Sequence, residues 1–186
     1  EEPVATAVFR DERDDNVEMR RESISIDDVA SYAAEQVGGG APGIHSVEIG
    51  LPSRLLSGGL VLVDTPGVGG LGSTHGAVTA AAIQMAEAVI FVSDASQEFT
   101  APELDFMAAT RKLCPNIVCL VTKTDFYPAW RKIRDLNLGH LQRMGIEAPI
   151  IATSASLHAR AMATGDGNLL QESGYPELTK FIRDDV

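Results

Sequence analysis

The stretch VLVDTPGVGG, residues 61–70, runs from an apolar segment into the polar turn DTPG at 64–67 and then into glycines. Its apolar part, LVLVD at 60–64, predicts a buried β-strand, because short apolar runs bounded by turn residues are typical of covered strands. In α/β sheets, ligands bind outside the carboxyl ends of the strands. The loop that follows this strand is therefore a candidate ligand site.

Other short apolar segments alternate with helical patterns along the chain. Strands are predicted at 45–51, 88–94, 116–123 and 149–155, and helices at 77–87, 100–113, 130–144 and 176–182. This alternation predicts an α/β fold: a mixed, mostly parallel sheet with helices on both faces. The connection between the strands at 45–51 and 60–64 is too short for a parallel crossover, so these two are predicted to form one antiparallel pair.

The composition restricts the function classes. The chain has 186 residues, of which 45% are hydrophobic, and a net charge of −11. That charge argues against a nucleic-acid or anionic-membrane surface on this segment, because both would repel it. Cys114 and Cys119 are the only cysteines, and we expect them to be reduced and structural, as in a cytoplasmic protein.

The glycines at 67–72 allow two interpretations that involve no guanine nucleotide. The segment GVGGLG matches the G-x-G-x-x-G pattern of NAD-binding folds, lies between a predicted strand and a predicted helix, and is followed by Asp94 at the next strand end. However, residues 64–66 separate the strand from the first glycine, whereas a dinucleotide-binding turn enters its glycine directly. The other interpretation is a mobile loop that binds no ligand.

Three short motifs together favour a GTP site. Asp64-x-x-Gly67 matches the γ-phosphate sensor of GTPases, and Thr122-Lys123-x-Asp125 matches their [N/T]-K-x-D motif. Ser154-Ala155 follows the last predicted strand. Each motif alone is weak, but all three lie in the GTPase order at the ends of predicted buried strands.

The base-recognition motifs have a physical rationale. The Asp125 carboxylate can accept from the ring N–H and the exocyclic amine of guanine, a donor pair that adenine lacks. The methylenes of Lys123 can cover the base plane while the ammonium group stays in water. A backbone N–H at Ser154-Ala155 can bind the guanine oxygen, and the Ser154 side chain can support that loop.

From Val47 to Val186 the chain resembles a bacterial dynamin-like GTPase, and among these the actinobacterial isoniazid-inducible members. The resemblance rests on four segments: EIGLPSRLLSGGLVLVDTPGVGG (48–70), STHGAVTAAAIQMAEAVIFVSDASQEFTAPELDF (73–106), VTKTD (121–125) and SGYPELTKFI (173–182). Val68 fits the dynamin branch, since Ras-like enzymes carry a glutamine there. Near the start, Pro3 to Ala7 resembles the first switch.

The resemblance implies a role for each site residue. Thr6 and Asp64 would hold Mg²⁺, and Gly67 would contact the γ-phosphate, so these three are the candidate catalytic residues. The implied nucleotide-binding residues are Asp64, Thr65, Pro66, Gly67, Thr122, Lys123, Asp125, Ser154 and Ala155.

One motif of the family is missing. The sequence contains no G-x-x-x-x-G-K-[ST] phosphate loop, which in GTPases cradles the phosphates and supplies a hydroxyl to Mg²⁺. We therefore expect residues 1–186 to be a partial G domain that lacks its first strand, phosphate loop and first helix, with little turnover alone. Residues 1–44 would form the first-switch region and an insertion, including a helix at 23–36, and residues 45–186 the core.

For the parent protein, the resemblance implies GTP binding and hydrolysis, GDP as product, and a homodimer through G domains. It also implies membrane remodelling through a stalk and a membrane-binding part absent here, so that the protein would be cytoplasmic and peripherally membrane-associated. No nucleic-acid partner is expected. The alternative is a pseudo-GTPase that acts as a nucleotide-independent scaffold.

Overall fold

The structure is a computed structural model that describes residues 2–11, 18–32, 44–65 and 81–185. The chain divides into two compact units, Glu1–Asp64 and Thr65–Val186. Each unit contains its own three-stranded sheet, antiparallel in the first unit and parallel in the second. Together with the helices of the second unit, these sheets confirm the predicted mixed α/β class.

The first unit is built on strand β1, Val4–Asp11. It lies between β2, Glu18–Ile24, and β3, Ile44–Gly50, and is antiparallel to both. After β2 the chain forms a 3₁₀ turn over Ile26–Asp28 and is helical over 29–32. The helix predicted for 23–36 is therefore wrong at its start, because the first two of those residues complete the β2 ladder.

The segment at 60–64 corrects the sequence prediction. It forms neither a strand nor the expected antiparallel pair with the segment at 45–51. The side chains of Val61, Leu62 and Val63 are 77%, 58% and 70% exposed. A strand forms only where a neighbour satisfies its backbone donors and acceptors, and within the described residues β3 pairs with β1 instead. The apolar pattern thus indicates a segment that favours the strand conformation, but it does not show whether a neighbouring strand pairs with that segment.

The second unit contains a parallel sheet in the order β4-β5-β6. Its strands are β4 (Val89–Asp94), β5 (Ile117–Thr122) and β6 (Ile150–Ala152). Its helices are a helical segment at 81–85, α1 (Ala101–Thr110), α2 (Trp130–Arg143), α3 (Ala155–Thr164), α4 (Gly167–Glu172) and α5 (Tyr175–Asp185). All three strands were predicted, as were α1, α2 and α5, whereas α3 and α4 were missed.

Strand β5 is covered on both faces, as its continuous apolar run predicts. On one face, Cys119 packs in a cluster that includes Met107 of α1 and Leu141 of α2. On the other face, Val118 and Leu120 pack with apolar residues of β6 and α5. Helices therefore flank both faces of the parallel sheet, as expected.

Both cysteines are free and buried, so both have the core position expected of structural cysteines. Burial raises the pKa of the Cys119 thiol to about 12, because the charged thiolate is poorly solvated in the core. Within the described ranges, no helix combines the length and the apolar content needed to cross a lipid bilayer.

Candidate nucleotide-binding site

The carboxyl ends of the parallel strands bring the predicted base-recognition residues to one edge of the sheet. Asp94 ends β4 opposite Thr122 of β5, and Val121 lies opposite Ala152 of β6. Thr122 Oγ1 donates a hydrogen bond of 2.9 Å to the carbonyl of Ser93, which ties the ends of β4 and β5 together. The loops that follow β5 and β6 therefore start side by side.

Lys123 occupies a special backbone conformation. Its φ of +59° is in the left-handed region, which non-glycine residues rarely adopt. Its carbonyl accepts from the N–H groups of Phe126 and Tyr127 at 3.0 and 3.2 Å, forming a tight turn. The turn exposes the Lys123 side chain, and its Nζ lies 3.0 Å from Asp94 Oδ2.

Asp94 is held from two sides. Its Oδ1 accepts from the backbone N–H of Ser96 at 2.9 Å and also from the Ser96 hydroxyl. These hydrogen bonds, followed by the interaction with Lys123, lower the pKa of Asp94 to about 2. The same ion pair raises the pKa of Lys123. Both groups are therefore charged at neutral pH, and the Lys123 ammonium group is anchored at the end of β4.

Asp125 is exposed, and its carboxylate is fixed by two hydroxyl groups. Ser154 Oγ donates to Asp125 Oδ1 at 2.5 Å, and Ser156 Oγ donates to Oδ2. The hydrogen bonds from Ser154 and then Ser156 lower the pKa of Asp125, because they stabilise the charged form. The carboxylate is thus ionised and oriented, as base recognition requires.

Ser154 links this site to the core. It is fully buried, its backbone N–H donates to the carbonyl of Ser173 at 2.9 Å, and its Oγ accepts from Leu157 N at 3.1 Å as the N-cap of α3. Ala155 is the first residue of α3, where a backbone N–H has no acceptor within the helix. Ser154 therefore connects Asp125 to the start of α3 and to Ser173.

A cleft of about 250 Å³ adjoins Asp94. It is lined by Ser93, Asp94, Ser96, Gln97, Glu98 and Glu103. With three carboxylates in its lining, this cleft disfavours phosphate groups. Any triphosphate bound at this edge of the sheet would have to lie outside this cleft.

Of the predicted phosphate and metal residues, the structure describes Thr6, Asp64 and Thr65. Thr6 lies half-buried in β1, opposite Ser23 and Glu48, so its strand is the middle strand of the first unit. Asp64 is exposed and Thr65 half-buried, both without regular secondary structure. The switch roles of these residues remain predictions. Several residues singled out in the sequence lie outside the described ranges: Pro66, Gly67, Val68, the remaining glycines of 67–72 and the glycine-rich segment 38–43.

Asp64 has the chemistry that nucleotide-bound magnesium requires. In nucleotide sites Mg²⁺ takes most of its ligands from phosphate and water and only one or two from carboxylates, so a single exposed aspartate fits. Across the described residues, no group of three or more His, Cys, Asp or Glu side chains could hold a metal by itself.

The sequence profile of the Dynamin family matches residues 5–124, nearly two thirds of the chain. The chain belongs to the dynamin family. Its curated relatives include the isoniazid-induced protein IniA of two Mycobacterium tuberculosis strains, each 43% identical over 163 residues, which are 88% of this chain. The match covers 26% of IniA, so the chain spans about a quarter of that relative's length. An uncharacterised Caldicellulosiruptor protein is 28% identical over 109 residues, or 56% of this chain and 26% of that protein.

The fold has a counterpart among solved structures. A bacterial dynamin, from a structure described as an oligomerised pair that senses and tethers membranes, superposes with a TM-score of 0.71 over 97% of this chain and 31% of its own. The sequence identity is 15%, so this likeness concerns the fold. It agrees with the dynamin-like GTPase resemblance found in the sequence.

Sequence reasoning missed two side chains of this site. Ser156 holds Asp125, and Ser96 holds Asp94. The spacing S-x-S at 154–156 was visible, but only the onset of α3 at Ala155 turns both hydroxyls toward one carboxylate. Asp94 was recognised as lying at a strand end, but its pairing with Lys123 depends on the left-handed turn that a sequence pattern does not reveal.

Proposed function

We propose that this chain supplies the guanine-recognition part of a dynamin-like protein that binds and hydrolyses GTP. The observation that carries the proposal is the Asp125 carboxylate, ionised and exposed, with one hydroxyl donor on each oxygen. A carboxylate held in this way matches the two neighbouring N–H donors on the guanine edge. Lys123, anchored by Asp94, lies next to it in the same turn.

The remaining roles follow from the family resemblance. Thr122 begins the base-binding turn, and the backbone N–H of Ala155 binds the guanine oxygen beside Ser154. At the phosphate end of the nucleotide, Thr6 and Asp64 would hold Mg²⁺, which would neutralise phosphate charge, and Gly67 would contact the γ-phosphate. Thr65 and Pro66 would bind the nucleotide beside them. A water molecule attacks the γ-phosphorus, so no protein side chain forms a covalent intermediate.

For the whole protein, the proposal includes functions beyond base recognition. GTP hydrolysis to GDP would drive self-association through G domains and membrane remodelling by segments other than residues 1–186. Such a protein acts in the cytoplasm at a membrane surface. Membership of the dynamin family and the similarity to IniA support this proposal.

Base selectivity tests the central assignment. Isothermal titration of the full gene product with GDP and with xanthosine diphosphate would measure both affinities. We expect the wild type to prefer GDP and Asp125→Asn to prefer xanthosine diphosphate, because an asparagine amide can donate to the additional xanthine carbonyl. Asp135→Asn, an exposed carboxylate of α2 paired with Arg134, is the matched control and should retain the GDP preference.

Unchanged selectivity in Asp125→Asn would show that the base assignment is wrong. Absence of nucleotide binding by the wild type would instead favour the scaffold alternative. Phosphate release from GTP with and without Mg²⁺ tests the proposed hydrolysis of GTP. There Asp64→Ala should abolish the Mg²⁺-dependent turnover while leaving the preference for guanine intact.

A further inference from the structure

Ser156 contacts the base-recognition carboxylate although it is not one of the motif residues that the family resemblance assigns. It is exposed in the first turn of α3, and its Oγ donates to Asp125 Oδ2. Ser154 Oγ donates to the other oxygen of that carboxylate, and the two serine Oγ atoms lie 3.1 Å apart. Asp125 therefore has a hydroxyl on each oxygen, and both hydroxyls come from the same end of one helix.

We propose that Ser156 is a specificity-determining positioning residue, which sets the rotation of the Asp125 carboxylate so that both of its oxygens face a base edge with two parallel N–H donors. This inference rests on the proposed function and deepens it. Ser156 acts through Asp125 and is not itself assigned a contact with the nucleotide.

The Asp125 carboxylate has enough lone pairs to bind both serines and a ligand. An ionised carboxylate has about four acceptor positions on two oxygens. The two serine hydroxyls use one position on each oxygen, and the carboxylate keeps acceptor capacity for a ligand. With Ser154 alone, the carboxylate is held at one oxygen and can rotate about its Cβ–Cγ bond, since that terminal torsion is broad. A second hydroxyl on Oδ2 restricts this rotation.

The two anchors differ in how closely they are tied to the fold. Ser154 is buried and also caps α3, so its removal would disturb the helix start as well as Asp125. Ser156 is exposed, and its side chain interacts with Asp125 and Ser154. Replacing it with alanine, a strong helix former, therefore separates carboxylate orientation from folding.

The test compares GDP with inosine diphosphate, which lacks the exocyclic amine and so presents one N–H donor. In the full gene product, titration calorimetry would give the ratio of the two affinities. We expect Ser156→Ala to lower this GDP preference by roughly three- to tenfold, the range of one hydrogen bond. Ser156→Thr, which keeps the hydroxyl, should restore the preference. Thr164→Ala removes a hydroxyl at the other end of α3 that binds the Arg160 carbonyl and should retain it.

Each outcome has one meaning. A GDP preference that Ser156→Ala leaves intact, or an equal loss of both affinities, overturns the inference. Tighter GDP binding by Ser156→Ala also overturns it, since the hydroxyl would then compete with the base. If Asp125→Asn also leaves selectivity unchanged, the proposed function fails instead. Thermal unfolding of the variants confirms that each is folded at the titration temperature.

Discussion

Lys123 Nζ lies 3.0 Å from Asp94 Oδ2, so an ion pair joins the carboxyl ends of the neighbouring parallel strands β4 and β5. Lys123 has a left-handed backbone conformation that directs its side chain out of the strand. Asp94 is in turn held by the backbone and side chain of Ser96. The lysine stem proposed to cover the base is thus fixed at its charged end before any ligand arrives.

Removing the Asp94 charge should weaken nucleotide binding moderately. In Asp94→Asn, Lys123 loses its ionic partner and must be ordered by the nucleotide itself, which costs side-chain entropy. Because exposed ion pairs contribute about 0–1 kcal/mol, we expect GDP affinity in the full gene product to fall by about two- to fivefold. Asp135→Asn, which removes an exposed ion pair in α2, should leave the GDP affinity measured by titration calorimetry unchanged. An Asp94→Asn affinity equal to that of the wild type would show that the lysine needs no anchor.

The hydrogen bonds that Ser96 donates to Asp94, and after them the interaction with Lys123, predict a pH dependence of stability. The pKa of Asp94 falls from its ordinary value of 3.8 to about 2 in the folded protein. A carboxylate with a lowered pKa stabilises the fold fully above the unfolded value and loses that contribution as pH falls through the folded value. Urea unfolding should therefore show the wild type more stable than Asp94→Asn above about pH 4, with the difference shrinking toward pH 2. A difference that stays constant over this range would contradict the assignment.

The parallel unit was largely predictable from the sequence because its signals are local. The runs that became β4 and β5 are continuous and apolar. The start of α1 also depends on neighbouring residues, since Glu103 Oε2 accepts from Thr100 N at 2.7 Å. Since parallel strands end at a common edge, locating the strands also located Lys123 and Ser154.

What failed depended on non-local pairing. LVLVD at 60–64 has the composition of a buried strand, yet it pairs with no strand among the described residues, and Val61, Leu62 and Val63 are exposed. Backbone partners as well as apolar content decide whether a strand forms. Strands β1 and β2 pair with each other over seven residue positions, and the helix predicted at 23–36 is wrong at its start because Ser23 and Ile24 belong to that pairing. The hydroxyls around Asp125 likewise depend on where α3 begins.

Met107 tests whether the core on the α1 face of the sheet determines stability. Its side chain is 0% exposed and its sulfur lies 3.6 Å from Cys119 Sγ. Met107→Ala should destabilise the protein by about 2–5 kcal/mol, because the substitution removes buried surface and leaves a cavity. Met162 in α3 is 66% exposed, so Met162→Ala should change the free energy of unfolding by less than about 0.5 kcal/mol. Urea denaturation measures both, and equal effects would place Met107 outside the core.

Gly174 tests the turn next to Ser173, whose carbonyl accepts a hydrogen bond from the backbone N–H of Ser154. It has a φ of +72°, and a Cβ built there would collide with the carbonyl oxygen of Ala152 at the end of β6. Gly165, at the end of α3, has nearly the same φ of +69° but open space around it. The two glycines therefore share a conformational requirement and differ only in whether a neighbouring backbone lies close.

Alanine substitutions at both positions separate these two effects. Gly165→Ala should cost about 1–2 kcal/mol, the penalty of a left-handed conformation. Gly174→Ala should cost about 1–3 kcal/mol more, because β6 or the turn must move to accept the methyl group. Urea unfolding gives both values, and equal losses would mean that the turn accommodates a Cβ freely. Because Ser173 O accepts from Ser154 N, Gly174→Ala should also weaken GDP binding, whereas Gly165→Ala should leave it unchanged.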